Sequence, residues 1–305
     1  MNRTQRIKLA KKPTETIRQS TAKPFRIEIA ANRLQRLLLK STRDCVSDVR
    51  HLAIAFSGGL DSSVLAFLAK KCGVKTQLIT VGLGNTIETA FAKNAAHALN
   101  LPIHVATYSI DDVKETLPKV IRLIGDHNPV NVGIAIPLFW TAQTAATKGL
   151  EILLAGQGAD ELFGGYHRYL GIYAEKGEET LRQMLFHDFG VYYESGFQRD
   201  NSVCEYNNVE LRLPYTDLRV VNFALSLPVS LKIESPTDKL RKRVLRKTAE
   251  HMGVPSFIAN KAKKAVQYAT GVDKALHKLA KRENLNTADY CKKLFTQIFP
   301  DVTLK

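Results

Sequence analysis

The chain has 305 residues, of which 45% are hydrophobic, and a formal net charge of +15 at pH 7. This length allows one large domain or two smaller ones, each with a sizeable core. No apolar run approaches the length of a membrane span, and the N-terminus lacks the apolar core of a secretory signal. The sequence therefore argues against a membrane or secreted protein and predicts a cytoplasmic one.

The four cysteines are spread along the chain without a CxxC spacing. This arrangement argues against a zinc site or a disulfide framework and is typical of reduced thiols.

Residues 1–24 form a basic, polar segment, because residues 1–23 hold seven Lys or Arg and one acid, Glu15. Such an arm can bind nucleic acid or serve as a transit peptide. We interpret it as a flexible solvated tail, so nucleic acid is a partner that we do not favour, and we place the folded domain at 25–305.

The apolar spacing of Ile29, Leu34, Leu37 and Leu38 predicts an amphipathic helix within 25–49. Strands are expected at 51–56, 76–81, 103–108 and 151–156, and helices at about 64–72, 88–99, 111–124 and 137–148. After about Tyr173 the pattern is helical, with no further clear strand. Alternating strands and helices predict an α/β fold, a doubly wound parallel sheet that ends near residue 172, with a mainly helical C-terminal part.

The stretch AFSGGLDSS, residues 55–63, is a glycine-rich turn between the first strand and the following helix. Glycines allow a ligand to approach the backbone, and the helix N-terminus favours an anion. The stretch lacks the lysine of a kinase-type phosphate loop and the glycine spacing of a dinucleotide fingerprint. Asp61 is an anion inside a phosphate cradle, which favours a bridging divalent metal. The alternative is a simple helix start capped by Asp61 and Ser62.

Residues 57–62 resemble the pyrophosphate-binding loop of the ATP pyrophosphatases, the PP-loop enzymes. These enzymes cleave ATP between the α- and β-phosphates and transfer AMP to a substrate oxygen. The loop predicts this ATP chemistry but leaves the acceptor open.

A second glycine-rich loop, LLAGQGADELFGGYHRY at 153–169, follows the fourth strand and carries Asp160 and Glu161. Parallel strands bring their carboxyl ends to one sheet edge, so Asp61 and Asp160 should lie together and act as Mg²⁺ ligands. The alternative is a solvated turn with acidic residues near a helix start.

The second loop resembles that of the synthetase domain of the asparagine synthetases, and the resemblance continues over about residues 26–275. The segment 207–233 contains Arg212, Pro214 and Asp217 in the order found in the family. The basic segment DKLRKRVLRKTAEHMGVP and the segment ANKAKKAVQYATGV also resemble family motifs, with Lys263 at the lysine position.

The resemblance implies an adenine nucleotide α-hydrolase-like fold that uses ATP and Mg²⁺ to adenylate the side chain of aspartate, after which ammonia displaces AMP. It implies that the pyrophosphate is held by Ser57, Gly58, Gly59, Asp61 and Ser62. Ala55, Val81 and Gly156 would border the rest of the nucleotide. Lys263 would neutralise charge that develops on the phosphates. The alternative for Lys263 is an exposed charge in a basic run with Lys261 and Lys264.

Two departures from the family concern the nitrogen. The glutamine-using members begin with a catalytic cysteine and a glutaminase domain, whereas this chain has Asn2 and about fifty residues before the first loop. We therefore expect ammonia to come from solution or from a separate glutaminase subunit. Many members carry a glutamate at the position of Gln157, and an amide cannot act as a base. Glu161 is the nearest substitute base, so the catalytic candidates are Lys263, Asp160, Glu161 and Gln157.

The leading hypothesis is an AMP-forming ligase that converts aspartate to asparagine through a β-aspartyl-adenylate. The first alternative is a PP-loop enzyme that adenylates a tRNA base for modification, which the basic charge favours. The second alternative is a nucleotide-binding regulator without catalysis, against which the carboxylates and Lys263 argue.

Overall fold

The computed structural model describes residues 26–84 and 86–301, so the basic segment at 1–24 lies outside the described residues. The strands are β1 His51–Ala55, β2 Lys75–Leu83, β3 Ile103–Tyr108, β4 Ile152–Leu154 and β5 Glu210–Arg212. The helices before β4 are α1 Ile27–Val46, α2 Leu60–Lys71, α3 Ile87–Ala98, α4 Ile110–Ile124 and α5 Pro129–Thr147. Those after β4 are α6 Ala159–Phe163, α7 Arg168–Val191, α8 Phe197–Glu205, α9 Leu218–Ser226, α10 Arg243–Met252, α11 Ser256–Ala259, α12 Val266–Thr270, α13 Val272–Arg282 and α14 Thr287–Ile298.

The five strands form one sheet in the order β3-β2-β1-β4-β5, and every pair of neighbours is parallel. The chain moves from β1 outwards to β3 on one side, then returns to place β4 and β5 on the other side. The strand order thus reverses between β1 and β4, where open α/β sheets form a ligand crevice beyond the carboxyl ends of their strands. Both glycine-rich loops begin at this crevice.

The central strands are buried on both faces, because alternate side chains enter two separate apolar cores. Leu52 and Ile54 of β1 face a core built with α1, α2, α9 and α10. Ala53 between them faces the opposite core, built with α4, α5, α8 and α13. Helices therefore cover both faces, and the predicted doubly wound α/β fold is confirmed.

Two sequence-based expectations about the elements were wrong. A fifth strand, β5, follows Tyr173 and pairs with β4, so the sheet does not end near residue 172. This strand is three residues long, too short for its alternation to register as a pattern. Helix α5 begins at Pro129, where the side chain of Asn128 accepts a hydrogen bond from Val130 N at 2.9 Å. Pro137 lies inside this buried helix and does not begin it.

Across residues 26–84 and 86–301, no helix combines the length and the hydropathy that crossing a membrane requires.

Candidate active site

The first loop joins β1 to α2 and is folded around two serine hydroxyls. Ser57 N donates to Ser62 Oγ at 3.2 Å, and Gly59 N donates to Ser57 Oγ at the same distance. Gly59 precedes α2, whose first backbone N–H groups have no acceptor within the helix. The loop therefore presents main-chain donors and hydroxyls at a helix N-terminus, an arrangement that suits an anion.

Gly58 is required by its backbone and by its neighbours. It has φ +67°, and a Cβ there would lie 2.9 Å from Ala92 Cα in helix α3. Any side chain would be strained and would push the loop away from α3. The conformation of the loop is thus determined by close packing against α3.

The second loop joins β4 to the short helix α6 and lies directly against the first. A Cβ on Gly156 would stand 3.1 Å from Asp61 Cβ, and Gly158 has φ +87°. Because β1 and β4 are neighbours, the side chains that follow them, Asp61 and Asp160, share one crevice. The predicted juxtaposition of these two carboxylates is what the structure shows.

Two lysines from distant parts of the chain meet these carboxylates. Lys242 Nζ lies 2.8 and 2.7 Å from the two carboxylate oxygens of Asp61 and 2.6 Å from Asp160 Oδ1. Lys263 Nζ lies 2.9 Å from Asp160 Oδ2. We call Asp61, Asp160, Lys242 and Lys263 the interior cluster.

The pKa values within this cluster follow from its charges. Burial acts to raise the pKa of Asp160, but the charges of Lys242 and Lys263 outweigh it and hold that pKa well below its usual range. Burial acts to lower the pKa of Lys263, but Asp160 and Asp61 raise it to about 12. Asp160 and Lys263 are therefore both charged at neutral pH.

Lys242 was missed in the sequence analysis, which treated its segment as a basic helix without assigning a role to any residue. It precedes α10 and has a left-handed backbone, φ +54°, as does Arg241. Two consecutive non-glycine residues in this region are uncommon and are typical of functional sites. Its side chain is 2% exposed, which composition and periodicity could not indicate in a run of lysines and arginines.

Two buried arginines hold the turn that carries Lys242. Arg241 Nε donates to Gly165 O at 3.0 Å, which ties the turn to the second loop. Arg246 donates to the carbonyl oxygens of Leu240 and Arg241, and also to those of Ala259 and Lys261. One guanidinium therefore anchors both segments that bring a lysine to the interior cluster.

Glu161 lies beside the interior cluster in a different environment. It is buried, and Tyr166 Oη donates to its Oε1 at 2.5 Å. Burial, and then the neighbouring charge of Asp160, raise the pKa of Glu161 to about 7. A carboxyl with this pKa can exchange a proton near neutral pH.

The remaining predicted residues lie around the same crevice. Ala55 ends β1, and Val81 lies in β2, the neighbouring strand. Gln157 follows Gly156 in the second loop, and its side chain makes no hydrogen bond to any residue in the described part of the chain. The structure thus places the candidates along one sheet edge, while their roles remain predictions.

The family residues Arg212 and Asp217 lie apart from the interior cluster. Arg212 pairs with Asp48 at 2.7 Å and with Glu210 at 2.8 Å, and the side chain of Asp217 caps α9. Both line a cavity of about 620 Å³ beside β5, and no residue of either glycine-rich loop lines it. In this structure they stabilise the fold around β5.

The carboxylates of Asp61 and Asp160 are a suitable donor set for Mg²⁺, which usually binds one or two carboxylates together with substrate phosphates and waters. No group of three or more His, Cys, Asp or Glu side chains in the described ranges 26–84 and 86–301 is arranged to hold a metal ion. The residues fit a metal that arrives with phosphate oxygens.

Comparison with known proteins shows which family the sequence belongs to. The sequence matches the family described as asparagine synthase over residues 33–175 and 172–293. It is 34% identical over 285 residues to a Methanocaldococcus jannaschii protein that carries the name asparagine synthetase 1, glutamine-hydrolysing, covering 84% of this chain and 52% of that one. It is 26% identical to asparagine synthetase 1, glutamine-hydrolysing, of Arabidopsis thaliana, covering 72% of this chain and 39% of the relative.

A solved structure of NMN synthetase from Francisella tularensis aligns with 92% of this chain and 99% of its own, with 16% identity and a TM-score of 0.43. The chain spans about half the length of the archaeal relative and less of the plant one. The family match covers both glycine-rich loops and both lysine segments. On this match, the chain belongs to the asparagine synthase family.

Proposed function

We propose that this chain catalyses ATP-dependent, AMP-forming amide synthesis, with aspartate as the carboxylate substrate and asparagine as the product. The main observation behind this proposal is the interior cluster, in which two carboxylates and two lysines meet beside a glycine-rich loop and the N-terminus of α2. Membership of the asparagine synthase family supports this assignment.

In the first half-reaction, an oxygen of the substrate carboxylate attacks the α-phosphorus of ATP. The bond from that phosphorus to the oxygen bridging to the β-phosphorus breaks, and pyrophosphate leaves. Ser57, Ser62 and the main-chain N–H groups of the first loop would bind the leaving pyrophosphate. Lys263 would stabilise the negative charge that accumulates on it. Asp61 and Asp160 would hold Mg²⁺, which supplies further neutralisation of the phosphate charge when bound.

In the second half-reaction, neutral ammonia attacks the acyl carbon of the adenylate. The bond from that carbon to the AMP oxygen breaks, and the nitrogen loses a proton. Glu161, with its pKa near 7, would accept this proton, either directly or through the hydroxyl of Tyr166. Gln157 would orient the attacking nitrogen by hydrogen bonding, since an amide cannot accept the proton.

The ammonia would come from solution or from a glutamine-hydrolysing partner. This chain matches 52% and 39% of the lengths of the two relatives that carry glutamine hydrolysis in their names. Ammonium salts should therefore support amide formation by this chain, at a rate that rises with pH as neutral ammonia becomes available.

The test is a pyrophosphate-release assay with Mg·ATP, ammonium and a panel of acceptors that contains aspartate, glutamate and unmodified tRNA. We expect stoichiometric AMP with aspartate, and a product with the mass of asparagine. ADP as the stoichiometric product would contradict the assignment, because it would mean transfer of the γ-phosphoryl group.

An RNA acceptor is the second candidate, because the formal net charge is +15. Pyrophosphate release that requires tRNA and not aspartate would support it. Binding of ATP without AMP formation under any condition would instead support a regulatory protein.

A further inference from the structure

Lys242 occupies the space that the two carboxylates share. Its Nζ contacts both oxygens of Asp61 and Oδ1 of Asp160, all within 2.8 Å. Lys263, by contrast, contacts Asp160 alone. Lys242 is thus the lysine of the interior cluster that bridges both carboxylates, as a divalent cation would.

The side chain of Lys242 runs through a passage that a glycine leaves open. A Cβ on Gly165 would lie 2.3 Å from Lys242 Cε and 1.9 Å from Asp160 Oδ1. Both distances are far below normal contact, so a side chain at Gly165 would force Lys242 or Asp160 to move from the position it holds here. Gly165 therefore leaves room for the Lys242 side chain to reach the two carboxylates.

The backbone at Lys242 is held from both sides. Arg241 Nε binds Gly165 O at 3.0 Å, and Arg246 Nε binds Arg241 O at 2.7 Å. The left-handed conformation of Arg241 and Lys242 is maintained by these buried contacts. Such a constrained lysine is a fixed part of the site and not a surface side chain that happens to reach an acid.

The charges within the interior cluster balance, with two carboxylates against two ammonium groups. A divalent cation that approached the two carboxylates would meet the bridging ammonium of Lys242 at close range. Mg²⁺ also loses its water reluctantly and prefers phosphate oxygens alongside carboxylates. Both effects disfavour binding of the metal on its own.

We propose that Lys242 is a resident counter-cation, which pairs Asp61 with Asp160 in the nucleotide-free protein and competes with Mg²⁺ for them. Triphosphate oxygens provide the ammonium with other anionic partners, so the carboxylates accept Mg²⁺ when it arrives as Mg·ATP. The order of binding is thereby set by the protein, with the metal and the nucleotide entering together. This proposal rests on the proposed function, because it takes Asp61 and Asp160 as the metal ligands.

The test is calorimetric titration of the nucleotide-free protein with MgCl₂. Lys242→Met and Lys242→Gln remove the charge at similar side-chain length. Lys247→Met is the matched control, because Lys247 pairs with Glu28 and Glu250 on the surface and lies outside the cluster. We expect both Lys242 variants to bind Mg²⁺ at least about tenfold more tightly than the wild type, since even a screened ammonium at this distance repels a divalent cation. Unchanged Mg²⁺ affinity in both variants would overturn the proposal.

A variant that is folded in millimolar MgCl₂ but unfolded without it would also support the proposal, since the metal would then replace the missing ammonium. If neither variant is soluble, the wild-type protein provides the test instead. Its melting temperature should be unchanged by millimolar MgCl₂ alone, and a saturable increase would overturn the proposal.

These outcomes are separate from failure of the proposed function. A wild-type protein that never releases pyrophosphate contradicts the function, whatever Lys242 does. A wild type that forms AMP, together with Lys242 variants of unchanged Mg²⁺ affinity, contradicts the counter-cation alone.

Discussion

Two groups of ion pairs use lysines from the same short segment, the one that joins α11 to α12, but the lysines reach different carboxylates. Lys263 enters the interior cluster through Asp160. Lys261 and Lys264 both pair with Glu88, at 2.9 and 3.1 Å, and Lys261 also lies 3.7 Å from the centre of the Phe91 ring. We call Glu88, Lys261 and Lys264 the outer cluster.

The comparison shows that three lysines within four positions have two different surroundings, since Lys261 and Lys264 reach Glu88 and Lys263 reaches Asp160. The outer cluster fastens this segment to the start of α3, since Glu88 lies in the first turn of that helix. The interior cluster uses the same segment to reach the crevice. On the proposed function, Lys261 and Lys264 attach the segment and Lys263 acts in the reaction, so substitutions should separate the two roles.

The largest effect is expected for Asp61, the carboxylate of the interior cluster that lies in the first glycine-rich loop. Asp61→Asn removes one ionised group that would bind the metal, and it should lower pyrophosphate release with aspartate by about 100-fold or more, the scale of losing a preorganised electrostatic group. Glu88→Gln in the outer cluster is the matched control and should retain most activity. AMP formation is measured in both variants, and equal losses would show that the two clusters do not differ in their contribution to activity.

The next effect is expected for the lysine that distinguishes the two clusters. Lys263→Met should lower the rate of AMP formation by about 10- to 100-fold, because charge on the leaving pyrophosphate then lacks one cation. Lys261→Met and Lys264→Met should each remain close to the wild type, since one lysine still holds Glu88 in either variant. Single-turnover measurements of AMP give the comparison. A normal rate for Lys263→Met would show that Lys263, like the lysines of the outer cluster, is not needed for AMP formation.

A smaller effect should separate the two half-reactions. Gln157→Glu introduces a carboxylate that can accept a proton from ammonia, so it should increase the fraction of adenylate converted to amide by about tenfold. Pyrophosphate release should change little, because the side chain of Gln157 makes no hydrogen bond within the described residues. The ratio of asparagine to AMP measures this fraction. Loss of AMP formation in this variant would place Gln157 in the ATP or aspartate site instead.

The last effect is on stability and not on catalysis, and it concerns the carboxyl beside the interior cluster. The folded-state pKa of Glu161 is raised from 4.5 to about 7, first by burial. The folded protein therefore holds this proton more strongly than the unfolded chain, and the wild type loses stability as pH rises between these two values. Glu161→Gln lacks this ionisation, so its free energy of unfolding relative to the wild type should increase across that window by about 3 kcal/mol.

Urea unfolding at a series of pH values from 4 to 8 measures this difference. Tyr166→Phe serves as the control, because it removes the hydrogen bond to Glu161 and leaves the carboxyl titratable. A difference between Glu161→Gln and the wild type that does not vary with pH would show that Glu161 is not buried as a neutral acid.

Much of the fold could be predicted from the sequence because strands β1, β2 and β4 lie inside the sheet, are largely buried and appear as short apolar runs. β3 was predicted with its observed bounds, Ile103–Tyr108. β5 could not be found in this way, since its three residues pair with β4 alone and alternate between exposed and buried positions. The start of α5 was missed, since a helix was predicted from Pro137 although the observed helix begins at Pro129.

The carboxylate half of the site could be predicted because parallel topology alone brings the ends of β1 and β4 together. The lysine half could not be derived from the residues alone. Lys263 was identified through resemblance to a family motif, since Lys261 and Lys264 nearby are the same residue type. Lys242 had no local signal, because its burial depends on Gly165, which is distant in sequence and whose carbonyl accepts from Arg241.

The contact between Asp61 and Lys242 spans 181 residues, and this separation has a consequence for synthesis on the ribosome. At ordinary elongation rates, about 10–40 s pass between translation of the aspartate and translation of its lysine. Asp160 is also made before either lysine of the cluster. A nascent chain can therefore assemble β1, β2 and β3 early, but it carries two facing carboxylates without their cations until α10 is made. Completion of the nucleotide crevice is thus a late event in the biogenesis of this protein, and long-range contacts of this kind slow folding.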